Sequence, residues 1–209
     1  MRDSTENGRR PRGRPRSFST DEVLERVRPV FLEKGYSAAS LDDLAAAAGL
    51  NRPSLYAAFG SKQQLYLALI ARLSRASIEG IDQVMAGPGT IAERLNRLYR
   101  HAIRQYTASP RPGGCLIVGT ASAEAPTHPD IAAAARNFIR ANEDVLARHF
   151  AGAVAAGALT GEPSPAARAR MATALFDTLA VRARLGEPAA DLEAFARAMV
   201  PIICGQAGL

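Results

Sequence analysis

The stretch SLDDLAAAAGLNRPSLYAAF, residues 40–59, decides the fold. Leu41, Leu44 and Ala45 place apolar groups on one face of a short helix, about 41–47, that Ser40 can cap. Gly49 permits a tight turn because glycine reaches positive φ without strain, and Leu50 plugs the corner. Asn51 can cap the next helix, about 52–59. Leu55, Tyr56 and Phe59 give that helix its apolar side, leaving Arg52, Ser54 and Ala58 toward solvent. Two short helices joined steeply by a glycine turn, with a polar N-terminus on the second, predict a helix-turn-helix. An ordinary helical hairpin has the same glycine turn and stays open as a reading at this point.

Outward from that stretch, nearly everything reads as helix. Upstream, residues 19–34 carry Val23, Val27, Val30 and Phe31 at helical spacing. Ser19 or Thr20 can cap this helix, Asp21 and Glu22 suit its positive end, and Lys34–Gly35 close it. Pro29 inside it predicts a local bend. Downstream, Ser61 caps a long helix that ends near 87–89. Further helices are predicted at about 90–108, 115–124, 129–158, 164–185 and 189–204, separated by glycine and proline breaks. Strand-like alternation is nearly absent, and residues 115–118 (CLIV) are the only β-looking run. The fold class is therefore all-α: a flexible basic arm (1–16), a three-helix DNA-binding domain (17–62) and a C-terminal helical domain (63–209).

The chain has 209 residues, 47% of them hydrophobic, so a sizeable core is available. Its formal charge of +6 is unevenly placed. Residues 1–16 hold six arginines against Asp3 and Glu6, whereas residues 17–33 are net acidic. The excess is an arm rather than a basic domain. Two isolated cysteines, Cys115 and Cys204, make neither a disulfide framework nor a zinc cluster, which fits a reducing cytoplasm. No apolar run approaches the roughly 20 residues needed to span a bilayer, and the N-terminal arginines lack the apolar segment of a secretory signal. No membrane partner is expected.

Residues 31–69, FLEKGYSAASLDDLAAAAGLNRPSLYAAFGSKQQLYLAL, resemble the DNA-binding region of the TetR family of repressors. Phe31 with Gly35–Tyr36, Ser40–Leu41, Leu44–Ala45, Ala48–Gly49–Leu50, Leu55–Tyr56, Phe59, Ser61–Lys62 and Leu65 carry the resemblance. GCLIVGTASAEAPTHPDI also looks like a segment seen in several members. The resemblance implies a homodimer on a pseudo-palindromic double-stranded DNA operator, released by a small, mainly apolar effector. It implies phosphate contacts from Ser40, Tyr56 and Lys62, and a groove end of the recognition helix at Arg52, Pro53 and Ser54. Tyr56 is equally readable as a core residue, and Lys62 as a solvated one. Ala57 and Ala58 depart from the larger or polar residues common there. Since alanine donates no hydrogen bond, base reading leans on Arg52, Ser54 and Asn51.

Two helical stripes near the C-terminus, Met171, Leu175 and Leu179 with Leu192, Phe195 and Met199, read chemically as packed helices. The resemblance makes them the dimer interface, and a plain monomer core is the alternative. Tyr99, Ile103, Tyr106, Cys115 and Phe138, on helices assigned to neither DNA nor dimer, are the candidate lining of an effector pocket or else solid core. Cys115 opens a helix, which suits a lowered thiol pKa; a buried small residue is the plainer reading.

His101, His128 and His149 lack metal-ligand spacing, so no metal is expected. No nucleophile elbow, P-loop or Rossmann glycine pattern is present, so neither an enzyme nor a cofactor is expected. Glu124 is a lone carboxylate. A helical enzyme with a site between its C-terminal helices and a ligand-independent architectural DNA binder are the rival readings.

The arm has its own resemblance. Pro11–Arg12–Gly13–Arg14–Pro15–Arg16 resembles the core of an AT-hook, an extended motif that lies in the minor groove of A·T-rich DNA. The chemistry agrees: arginine is favoured where the groove is narrow and most negative, and glycine lets the backbone approach its floor. A solvated charged tail is the alternative for Arg12, Arg14 and Arg16.

Overall fold

The computed structural model describes residues 19–108 and 113–205; Arg12, Arg14 and Arg16 lie outside them. Among the described residues the chain is all helix and turn. The order is α1 (Thr20–Ala38), α2 (Leu41–Ala48), α3 (Arg52–Phe59), α4 (Lys62–Met85), α5 (Ile91–Thr107), α6, α7 (Pro129–Ala155), α8 (Pro165–Arg184) and α9 (Ala189–Cys204). Here α6 is a π-helical turn, Ile117–Ala121, continued by Ser122–Glu124.

The boundaries follow from capping chemistry. Ser40 and Asp43 form a reciprocal capping box on α2, and Thr90 and Glu93 do so on α5. Asn51 and Ser61 accept from the backbone N–H groups of Ser54 and Gln64 at the starts of α3 and α4. In α1 the non-helical residue is Gly35, at φ 75°, and not Pro29. The helix runs through Pro29, so the bend predicted there falls six residues later, at the glycine that ends the regular part.

Two apolar cores result, and α4 belongs to both. The first joins Val23, Leu24, Val27 and Phe31 of α1, Leu44 of α2 and Leu55 of α3 to Leu65, Tyr66 and Leu69 of α4. It also takes in Leu116, Ile117, Ile131 and Phe138. Helix α1 therefore packs directly on α6, across the boundary predicted at residues 62 and 63. Phe31 is fully buried between the rings of Tyr36 and Tyr66, at 6.5 and 4.8 Å; truncating it to alanine costs about 3–5 kcal/mol. The second core joins Ile81 and Met85 of α4 to α5, α7, α8 and α9.

Two fixtures hold the C-terminal half in register. Arg168 is completely buried, and its guanidinium donates to the carbonyls of Thr160, Glu162, Pro163 and Cys204, tying the start of α8 to the end of α9. Gly114 sits at φ 60°, and a Cβ there would lie 2.4 Å from the Ala180 carbonyl oxygen. Only glycine allows the segment before α6 to lie this close to α8.

Candidate DNA interface and ligand cavity

Helices α2 and α3 make the predicted helix-turn-helix. Gly49 takes the left-handed conformation at φ 68°, and its N–H satisfies the carbonyls that end α2. Leu55 is the buried anchor of α3. The outer face of α3 carries Arg52, Pro53, Tyr56, Ala57 and Ala58, all exposed, with Ser54 half-covered. Pro53 stands in the first turn, where its missing N–H leaves no bond unmade.

Tyr56 corrects its expected place on the apolar side. It is 45% exposed, because α2 and α4 cover only the Leu55 side of so short a helix.

Arg52 is not idle. Its guanidinium makes a two-pronged ion pair with Asp42 of α2. The hydrogen bond from Arg52 holds the Asp42 carboxyl below its usual range and raises Arg52 in return. Lys62 is also engaged. Its ammonium donates to the Ser37 carbonyl at 3.1 Å and sits 4.7 Å above the Tyr36 ring. Desolvation lowers its pKa. Ser40 spends its hydroxyl on Asp43, and Lys34 bridges the same carboxylate at 2.8 Å. The face is thus pre-formed, with its cations held by local acceptors.

A cavity of about 510 Å³ opens between α1, α4, α5, α7, α8 and the start of α6. Tyr106, Cys115 and Phe138 line it as predicted, with Leu98, Ile117 and Phe176. Tyr99 and Ile103 do not. Both are fully buried core residues, and the Tyr99 hydroxyl donates to the Ala172 carbonyl at 3.1 Å. They point to the side of α5 that faces α8 and α9.

Several charged groups in the wall escaped the sequence reading. Arg28 of α1, Arg75 of α4 and Asp177 of α8 line the cavity without a hydrogen-bond or ion-pair partner among the described residues. Burial, with Glu143 nearby, pushes the Asp177 carboxyl up to about 6. The signal was present in the sequence: Asp177 is the one acid within the stripe-bearing helix α8. Burial also pushes the Cys115 thiol up, outweighing the helix N-terminus, so it stays protonated at neutral pH. Arg72, also in the wall, lies 3.3 Å from Asp21 and is paired with Glu25, which ties α4 to α1 there.

The predicted dimer stripe is divided between the chain's own core and its surface. Leu175, Leu179 and Leu192 are 4%, 0% and 0% exposed, used up in the chain's own second core. Met171, Phe195 and Met199 are partly covered by it, and Arg182 stacks on Phe195 at 4.9 Å. The apolar groups that α8 and α9 leave outside are Val181, Leu185 and Ile202, at 46%, 82% and 48%. A helical stripe in the sequence reveals the face that is buried; whether its own chain or a second one buries it depends on where α5 lies.

Comparison with known proteins agrees with this geometry. Residues 23–69 match the family described as bacterial regulatory proteins, tetR family, and residues 92–199 match the tetracyclin repressor-like C-terminal domain. The HTH-type transcriptional repressor ComR of Escherichia coli (strain K12) is 30% identical over 131 residues, 62% of each chain. The repressor BdcR of the same organism is 28% identical over 120 residues, 57% of this chain. These matches span about three-fifths of the relatives' lengths, 62% and 61%. Among solved structures, a cysteine mutant of the TetR family regulator CifR, complexed with 26bp double-strand operator DNA, superposes with a TM-score of 0.81 at 28% identity, covering 90% of this chain and 98% of that one. With a helix-turn-helix at one end, a matching helical domain at the other and both halves recognised separately, the chain belongs to the TetR family of bacterial transcriptional regulators.

Proposed function

We propose that this protein is a ligand-responsive repressor that binds a pseudo-palindromic operator as a homodimer and leaves it when a small, mainly apolar molecule fills the cavity. The observation that carries this reading is the position of the cavity. Its walls come from the C-terminal helices and also from Asp21, Glu25 and Arg28 of α1, so an occupant touches the DNA-reading unit itself. The phenyl and aliphatic walls favour an apolar body, and Arg28, Tyr106 and Asp177 offer polar anchors. For release, the occupant need only favour a dimer whose recognition helices no longer match the half-site spacing of about 34–36 Å.

On this reading Arg52 and Ser54 read base edges, with Asn51 setting the start of α3, and Pro53 lies at the groove. Ser40, Tyr56 and Lys62 meet phosphates. A second copy meets the face that bears Val181, Leu185 and Ile202, flanked by Phe195 and Met199. The arm residues Arg12, Arg14 and Arg16 lie in the minor groove beside the operator. ComR and BdcR, both repressors, support repression over activation. The cytoplasm is the compartment that fits. Footprinting across the intergenic DNA beside the protein's own gene tests the reading: one protected, two-fold symmetric segment is expected, and uniform weak protection would overturn it.

A further inference from the structure

Glu124 is a buried acid that the DNA-reading and ligand-binding roles do not use. It is 9% exposed, at the end of α6. Its Oε1 accepts the Ser37 backbone N–H at 3.1 Å, and its Oε2 accepts the Ser37 hydroxyl at 2.7 Å. His128 Nδ1 lies 3.3 Å from the same Oε2. Ser37 lies at the end of α1, past Gly35 and just before the α1–α2 joint. Its carbonyl takes the Lys62 ammonium, and Ser40, three residues on, caps α2. Every polar group of Ser37 is therefore committed, two to the C-terminal half and one to the first residue of α4.

The other end of the same segment is the cavity wall, since Gly114, Cys115, Leu116, Ile117 and Val118 all line it. Between wall and acid runs the π-helical turn, a rare geometry that is frequent at functional sites. Midway along it, Thr120 hydrogen-bonds the buried Tyr66 hydroxyl of α4 and back-bonds to Leu116 at 2.6 Å. A shift of the wall therefore has a short, hydrogen-bonded route to the α1–α2 joint. A carboxylate accepting two donors from one residue holds both position and orientation, which a single apolar contact does not.

We infer that Glu124 is the positioning residue through which filling of the cavity displaces the DNA-reading helices, by way of its paired hydrogen bonds to Ser37. The inference rests on the cavity being the effector site. It predicts that an intact Glu124–Ser37 clasp makes operator affinity sensitive to the cavity, and that its loss leaves a protein that binds DNA with an affinity the cavity no longer controls.

The test is a double-mutant cycle with a built-in occupant, Ala102→Phe, which fills the cavity from α5. Operator affinity is measured by fluorescence anisotropy on the footprinted duplex for the native chain, Ala102→Phe, Glu124→Ala and the double mutant. Exchange of the Ser37 amide hydrogen is followed alongside. With Glu124 present, Ala102→Phe weakens binding roughly 5- to 150-fold, the usual range of allosteric coupling, and speeds Ser37 exchange. With Glu124→Ala the ratio falls to within about twofold. If Glu124→Ala does not fold, Glu124→Gln, which loses one acceptor, and Ser37→Ala, which removes one donor from the other side, must each shrink the ratio. Equal weakening in both backgrounds overturns the role of Glu124 and leaves the cavity reading standing. No weakening by Ala102→Phe with Glu124 intact overturns both.

Discussion

Asp177→Asn removes a charge from the cavity wall while keeping the shape of the side chain. Asp177 has no hydrogen-bond or ion-pair partner among the described residues, and burial with the neighbouring Glu143 raises it from its ordinary 3.8 to about 6. A change of that size corresponds to about 3 kcal/mol against the ionised form; water entering the cavity screens part of it, leaving about 1–2 kcal/mol. The sign is fixed by linkage. Well below pH 3.8 the acid is protonated whether the chain is folded or unfolded, and the stability it allows is fully present. Between about pH 4 and 6 the unfolded chain gives up the proton while the folded one keeps it, so stability falls; above about 6 the deficit is constant. Urea unfolding of native chain and variant at half-unit steps from pH 4 to 7.5 reads this group together with its coupling to Glu143, because carboxylates that do not interact with Asp177 cancel in the difference. The variant should gain on the native chain through that window and end about 1–2 kcal/mol more stable at pH 7. A difference that does not change with pH, or a less stable variant at pH 7, would refute the account of Asp177 as an unpartnered buried acid. A stability deficit retained at a cavity wall is what a binding site is expected to carry.

Three other outcomes are expected. Arg52→Ala should cost about 1–3 kcal/mol on the best operator and relax preference at one base position, whereas Lys62→Ala should weaken all duplexes alike; competition with single-base variants reads both. Leu185→Glu with Ile202→Glu should give folded monomers in sedimentation, because both side chains are exposed in one protomer, and a dimer that persists would move the interface elsewhere. Deleting residues 1–16 should weaken binding and lower the salt slope by about 0.9 per lost phosphate contact. At one salt concentration, that loss should be greater beside A·T-rich than beside G·C-rich flanks, and equal losses would leave the arm only its charge.

What the sequence made legible was local. Ser40, Gly49, Asn51 and Ser61 each act within one helix turn, so the residue type alone named the caps and the turn. Tyr99, Ile103, Tyr106, Cys115 and Phe138 were legible only as apolar residues on otherwise unassigned helices; packing sends Tyr106, Cys115 and Phe138 to the cavity and Tyr99 and Ile103 to the core. Properties that depend on a distant partner were not legible. Leu175 and Leu192 are covered by their own chain, and nothing in their spacing distinguishes that from cover by a second one. Glu124 reads as an isolated carboxylate until folding brings Ser37, 87 residues away, to 2.7 Å. The cavity's reach to α1 was hidden likewise, since Arg28 reads as an ordinary surface arginine on an amphipathic helix.

On the proposed function, the α2–α3 face reads a defined duplex as part of a dimer. The most direct measurement is to select duplexes with the purified chain from a random-sequence pool at physiological salt, then titrate the recovered sequence against a scrambled one. The account predicts a two-fold symmetric sequence, two chains bound per duplex, and an affinity at least about 10³-fold above the scrambled duplex. Recovery of no common sequence, with equal affinity for both duplexes, would contradict it.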